Sequence, residues 1–157
     1  RNVTGVQTCA LPIFLTFPKT GDNYRMIIDT DNILKPVAIS KDDSQYKLLK
    51  ITGKSFIKGK LQLNLMDGRN VFFEKQHYKI GDTVLLAVPQ QLVKDHLSFE
   101  KGMLILLFKG KHVGKIGTLQ DIKKESVIVK TGDESYETRK DYVLIVGKDK
   151  PLIKMTK

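Results

Sequence analysis

Lys109, Lys111, His112 and Lys115, spaced by Gly110, Gly114 and Gly117, make up the stretch of this chain whose residue types can hold a polyanion. Ammonium groups pair with phosphate oxygens, and histidine can donate to phosphate or stack on a base. Glycine lets a loop take unusual backbone angles or bring its own amides close to a ligand. A solvated hairpin has the same composition, so the loop has to be weighed with the rest of the chain.

A second cationic run is Lys47, Lys50, Lys54, Lys58 and Lys60, with no acidic residue between them. In an alternating strand Lys50, Lys54, Lys58 and Lys60 share parity, so they line one face unless a bulge or turn near Gly53 or Gly59 breaks the register. Lysines of this kind also guard edge strands against aggregation. Arg69 follows the turn pair Asp67-Gly68 and suits bidentate phosphate recognition at a hairpin tip. Arg139 and Lys140, before Tyr142, extend the set, with Glu137 and Asp141 close enough for surface ion pairs.

The elements that must position these residues read as short strands. Tyr24–Ile28 and Ile33–Ile39 flank the turn signal Asp29-Thr-Asp-Asn32, and Pro36 makes the second an edge strand. Ser40–Asp43 suits one helical turn. Tyr46–Ile57 is rich in β-formers, and Leu61–Leu65 alternates into a two-residue Asp67-Gly68 turn and Asn70–Phe73. Ile80–Pro89, Leu92–Phe99, Met103–Phe108, Ser126–Lys130, Tyr136–Arg139 and Tyr142–Val146 complete the series. Many short strands joined by Gly, Asp and Asn turns predict an all-β chain.

Composition narrows the function. Lys and Arg number 27 against 17 Asp and Glu, a formal charge of +10 with a sequence pI near 9.6. Residues 1–101 hold 15 basic and 10 acidic side chains and residues 102–157 hold 12 and 7, so the excess runs through the folded body. Such a balance favours a polyanionic partner. No apolar run approaches the ~18 residues of a membrane span and no basic amphipathic helix is evident, so no membrane partner is expected. His77, His96 and His112 lack metal-ligand spacing, and Cys9 is the single cysteine, which predicts no metal, no cofactor and, weakly, a reducing compartment. Catalytic motifs are missing: there is no G-x-S-x-G and no Walker loop. The carboxylate pairs Asp42-Asp43, Asp133-Glu134 and Asp29/Asp31 sit in turn contexts. The chain is read as a non-enzyme without a small-molecule substrate.

The Gly110/Gly114/Gly117 spacing after an apolar strand resembles a KOW motif, the opening of a small SH3-like barrel. The ordered set Lys47–Ile51, Leu61–Asn70, Tyr78–Val84, the KOW-like segment and Tyr136–Gly147 is similar to the archaeal and eukaryotic type of small-subunit ribosomal protein four, over roughly Phe17 to Lys154. The resemblance implies two small β-barrel-like domains, a central one at 14–97 and an SH3-like KOW barrel at 98–150, with a tail at 151–157. It implies a cytoplasmic, ribosome-bound protein that contacts small-subunit ribosomal RNA and neighbouring ribosomal proteins in support of translation. An extraribosomal KOW-domain regulator of transcription elongation or translation, binding nucleic acid or polymerase, is the competing expectation. Residues 1–13 resemble a vector-derived leader and are set aside, Cys9 with them. Such proteins carry a basic arm and a helical S4-type RNA-binding domain ahead of the part seen here, which this chain is expected to lack. Lys109-Gly110 also stands where the family more often has two glycines.

Overall fold

The structure is a computed structural model that describes residues 13–17, 19–29, 33–73, 77–88 and 90–153. Among the described residues thirteen strands form three antiparallel sheets, with short 3-10 turns at Asp43–Gln45 and Lys140–Tyr142. The all-β class holds. No described helix is long and apolar enough to cross a membrane.

The first sheet contains β1 (Ile13–Phe17), β2 (Asp22–Ile28) and β3 (Leu34–Ile39) in that order, with Pro36 on the outer strand where its missing donor costs no ladder bond. Ile13, the last residue of the segment set aside above, opens β1 and faces Met26 across the ladder. Residues 1–12, Cys9 among them, and the turn residues 30–32, with Asp31, lie outside the described residues. The next helical turn is held by Ser40, whose Oγ accepts the Asp43 backbone N–H at 3.0 Å.

The second sheet has the order β6-β5-β4-β7-β8, from β4 (Tyr46–Ile57), β5 (Lys60–Leu65), β6 (Asn70–Phe73), β7 (Thr83–Ala87) and β8 (Leu92–Leu97). The described strands between residues 14 and 97 thus form two sheets. The β5–β6 connection takes four residues, 66–69, instead of the expected two: the Gly68 amide returns to the Leu65 carbonyl and the Leu65 amide donates to Arg69. Leu49, Ile51, Leu61, Leu63, Val84 and Leu86 fill this sheet's core, each side chain stabilising by about 1.5–3 kcal/mol on burial.

The third sheet runs β12-β11-β10-β9-β13, from β9 (Leu104–Leu107), β10 (Ile116–Ile122), β11 (Ser126–Thr131), β12 (Glu134–Arg139) and β13 (Val143–Gly147). Ile105, Leu107, Leu119, Val127, Val129 and Ile145 form its core. A further cluster binds the two five-stranded sheets together: Leu48 packs with Phe108, Leu144, Val146 and Ile153. Ile153, expected in a tail, is buried here, and the Leu152 amide donates to the Val146 carbonyl at 2.8 Å. Residues 154–157 are outside the described set.

Candidate nucleic-acid interface

The glycine loop joins β9 to β10. Gly110 has φ +86°, and a Cβ there would come within 3.0 and 3.2 Å of the Tyr142 ring, so both backbone angle and space demand glycine. Gly117 needs glycine for a different reason. It lies in β10 at an ordinary angle, but a Cβ would sit 2.5 Å from the Lys130 carbonyl oxygen. The loop closes through the Gly114 amide to the Leu107 carbonyl at 2.7 Å and the Leu107 amide to the Lys115 carbonyl at 3.0 Å. Val113 turns inward and packs on Ile28 of the first sheet, flanked by Met26, Leu34 and Ile13.

With the apolar residue inside, polar ones face outward. Lys111 is exposed, while His112 and Lys115 are half-buried. His112 stacks on Tyr136 of β12, ring centroids 4.1 Å apart at 19°, and the Lys115 ammonium lies 5.9 Å from the same ring. The Tyr136 hydroxyl is fixed to Thr131 Oγ1 at 2.7 Å. This aromatic-cationic group contains one residue the sequence reasoning missed, since Tyr136 is brought to the loop only by strand pairing.

The other end of the loop meets the 3-10 turn. Tyr142 touches Gly110 on one side and Arg139 on the other, the guanidinium carbon 5.6 Å from the ring centroid. Arg139 also pairs with Asp141 at 3.2 Å, an exposed bridge of small worth. Lys109 and Lys140 both line a cleft between the two five-stranded sheets.

The lysine run of β4 is divided. Lys47 and Lys50 are buried, so they do not form an open cationic face with the others. Both faces of the first half of β4 are covered: Leu49 and Ile51 point into their own sheet's core and Leu48 into the cluster shared with β13. Lys50 shares the face of Leu48, and its Nζ donates to the carbonyls of Lys140 (2.6 Å) and Val143 (3.0 Å). Burial pushes its pKa down to about 8, with Asp141 opposing and Lys109 adding to the shift. Lys47 Nζ lies 3.6 Å from Asp67, and its pKa is lowered by burial, with Asp67 opposing.

Beyond Ile51 the register shifts, and the parity argument fails at Thr52–Gly53. Lys54 is exposed and reaches the Tyr78 carbonyl at 3.4 Å. Lys58 and Lys60 are exposed at the β4–β5 hairpin, where Lys58 (φ 50°) and Gly59 (φ 77°) make the turn. Arg69 is folded back, its Nε 3.2 Å from the buried Asp67 carboxylate. Its backbone amide donates to the same side chain. Asp67 therefore gathers Lys47 and Arg69 into an internal ion-pair group that the hairpin reading did not anticipate.

A second buried carboxylate organises the edge of the cleft. Asp82 accepts hydrogen bonds from the Lys79 and Phe99 amides at 3.0 and 2.9 Å, and lies 2.7 Å from His96 Nε2. His77 stacks on Tyr78, whose ring also meets His96 edge-on. Among the described residues no group of three or more His, Cys, Asp or Glu side chains is placed to hold a metal ion.

The model of Ribosomal family S4e matches residues 20–93. The chain is 38% identical over 148 residues to the small ribosomal subunit protein eS4 of Methanosphaera stadtmanae and 35% identical over 144 residues to that of Korarchaeum cryptofilum. Each match covers 90% of this chain and 61% of the relative, so the chain spans about three-fifths of the relatives' length. In three dimensions it is similar to the crystal structure of the 30S ribosomal protein S4e from Thermoplasma acidophilum. That match has a TM-score of 0.70 and 28% identity, and covers 82% of this chain and 68% of that one.

Proposed function

The chain belongs to the ribosomal S4e family, and from that membership we propose that it is a non-catalytic component of the small ribosomal subunit that holds ribosomal RNA by its phosphate backbone. Neighbouring ribosomal proteins are its other partners in this reading. The observation that carries the proposal is the β9–β10 loop. Val113 and the closing backbone bonds fix it from inside, while Lys111 is exposed on it and His112 and Lys115 stand against Tyr136. Lys54, Lys58, Lys60 and Arg139 supply further exposed positive charge. Lys47 and Lys50 act as internal braces and contact no RNA.

Recognition of this kind works by shape and charge, because A-form helices keep their base edges in a deep, narrow groove. The test is fluorescence anisotropy of the chain with small-subunit RNA hairpins over a salt series. Log affinity is expected to fall steeply and linearly with log salt concentration, as counterions are released from the phosphates. A flat salt response, or co-sedimentation with RNA polymerase and none with small subunits at low salt, would sink the proposal.

A further inference from the structure

The cleft between the two five-stranded sheets has a volume of about 450 Å³, within the range of small-ligand pockets. Its apolar walls include Ile80, Phe99 and Phe108, and three lysines, Lys50, Lys109 and Lys140, line it together with one carboxylate, Asp141. Asp141 is already paired with Arg139, so the local balance is cationic. Ile80, one of the residues lining the cleft, is 59% exposed and so presents its side chain to whatever enters. Phe99 is held in place, its amide bonded to buried Asp82 and its ring 5.9 Å from the Lys50 ammonium. Lys50 donates to the Lys140 and Val143 carbonyls and so braces the cleft wall from inside.

An apolar slot with ammonium groups at its border fits a ligand with a planar apolar body and an anionic edge. We propose that the cleft takes one unpaired nucleotide of the bound RNA, its base against Ile80 and Phe99 and its phosphate beside Lys109 and Lys140. This rests on the RNA-binding reading above and adds a sequence- or structure-selective contact to it. Unstacked bases are the part of an RNA that side chains can read, and they stack on aromatic rings at any sequence. A fully paired helix cannot place a base in a slot of this kind.

Two hairpin RNAs with the same stem, one carrying a single bulged uridine and the other fully paired, test the inference against the full chain by fluorescence anisotropy. The bulged hairpin is expected to bind about tenfold more tightly, the worth of one stacked base. Thr52→Trp, which fills the cleft from an exposed position, and Ile80→Ser should both remove that gain and leave affinity for the paired hairpin unchanged. Thermal unfolding of both variants serves as the control for folding. 5-Iodouridine at the bulge should cross-link to Phe99 or Phe108. Equal affinity for the two hairpins, or a gain that survives Thr52→Trp, overturns the cleft proposal while leaving the phosphate-contact reading in place. Salt-independent, weak binding of both hairpins overturns the two together.

Discussion

The Lys50 ammonium donates to the Lys140 carbonyl oxygen at 2.6 Å, a bond that spans 90 positions of sequence and joins the second sheet to the third. A second bond from the same nitrogen reaches Val143 at 3.0 Å, at the start of β13. Lys50→Ala leaves both carbonyls without this donor in a buried site. It should lower unfolding free energy by about 2–3 kcal/mol in denaturant titrations. Wild-type stability in the variant would mean that water replaces the ammonium at no cost.

The same lysine sets a pH dependence. Its folded-state pKa, about 8, lies below the ordinary value of 10.5 because burial disfavours the charge. Between these two values the unfolded chain keeps a proton that the folded chain has lost, so this group's contribution to stability rises with pH. From pH 7 to 9.5 the gain should be about 2 kcal/mol, and Lys50→Met should flatten the curve. Tyr78, whose pKa is raised by burial, works in the opposite sense above the ordinary tyrosine value of 10, so the comparison belongs below it.

Exposed and buried lysines should separate in RNA binding. Lys111→Ala and Lys115→Ala are each expected to reduce the slope of log affinity against log salt by about one, without loss of thermal stability. Lys47→Ala should do the reverse: it leaves the slope unchanged and destabilises the fold, since the buried Asp67 carboxylate keeps Arg69 but loses one of its two cationic partners. Parallel salt titrations and melting curves of the three variants decide the matter.

Two glycines of the loop region should fail for different reasons. Gly110→Ala places a side chain at φ +86° and against the Tyr142 ring, at an expected cost of about 1–3 kcal/mol. Gly117→Ala meets backbone, the Lys130 carbonyl at 2.5 Å, which cannot swing aside. It should cost more and disturb the β10–β11 ladder. Amide hydrogen exchange would localise the damage to β11 in one variant and to the loop in the other. Equal protection in both would count against this distinction.

How far the sequence reveals the molecule depends on where its signals are local. β5 and β6 follow from alternation and a turn pair within a dozen residues, and the glycine loop from its own spacing. The lysines at 47 and 50 mislead because a charge inside an apolar run reads as a solvent face. Here the first half of β4 is covered on both sides, and the buried charges find partners at Asp67 and Lys140, far along the chain. Nothing in the residues around Tyr136 or Ile80 marks either as part of a site. Their places beside His112 and in the cleft arise from strand pairing and from the meeting of two sheets, and no window of neighbouring residues contains that information.

Val113 seats the cationic loop on Ile28, in a sheet to which that loop does not belong. Loosening the first sheet should therefore unseat the loop proposed above to hold RNA, while the separate cores of the two larger sheets stay packed.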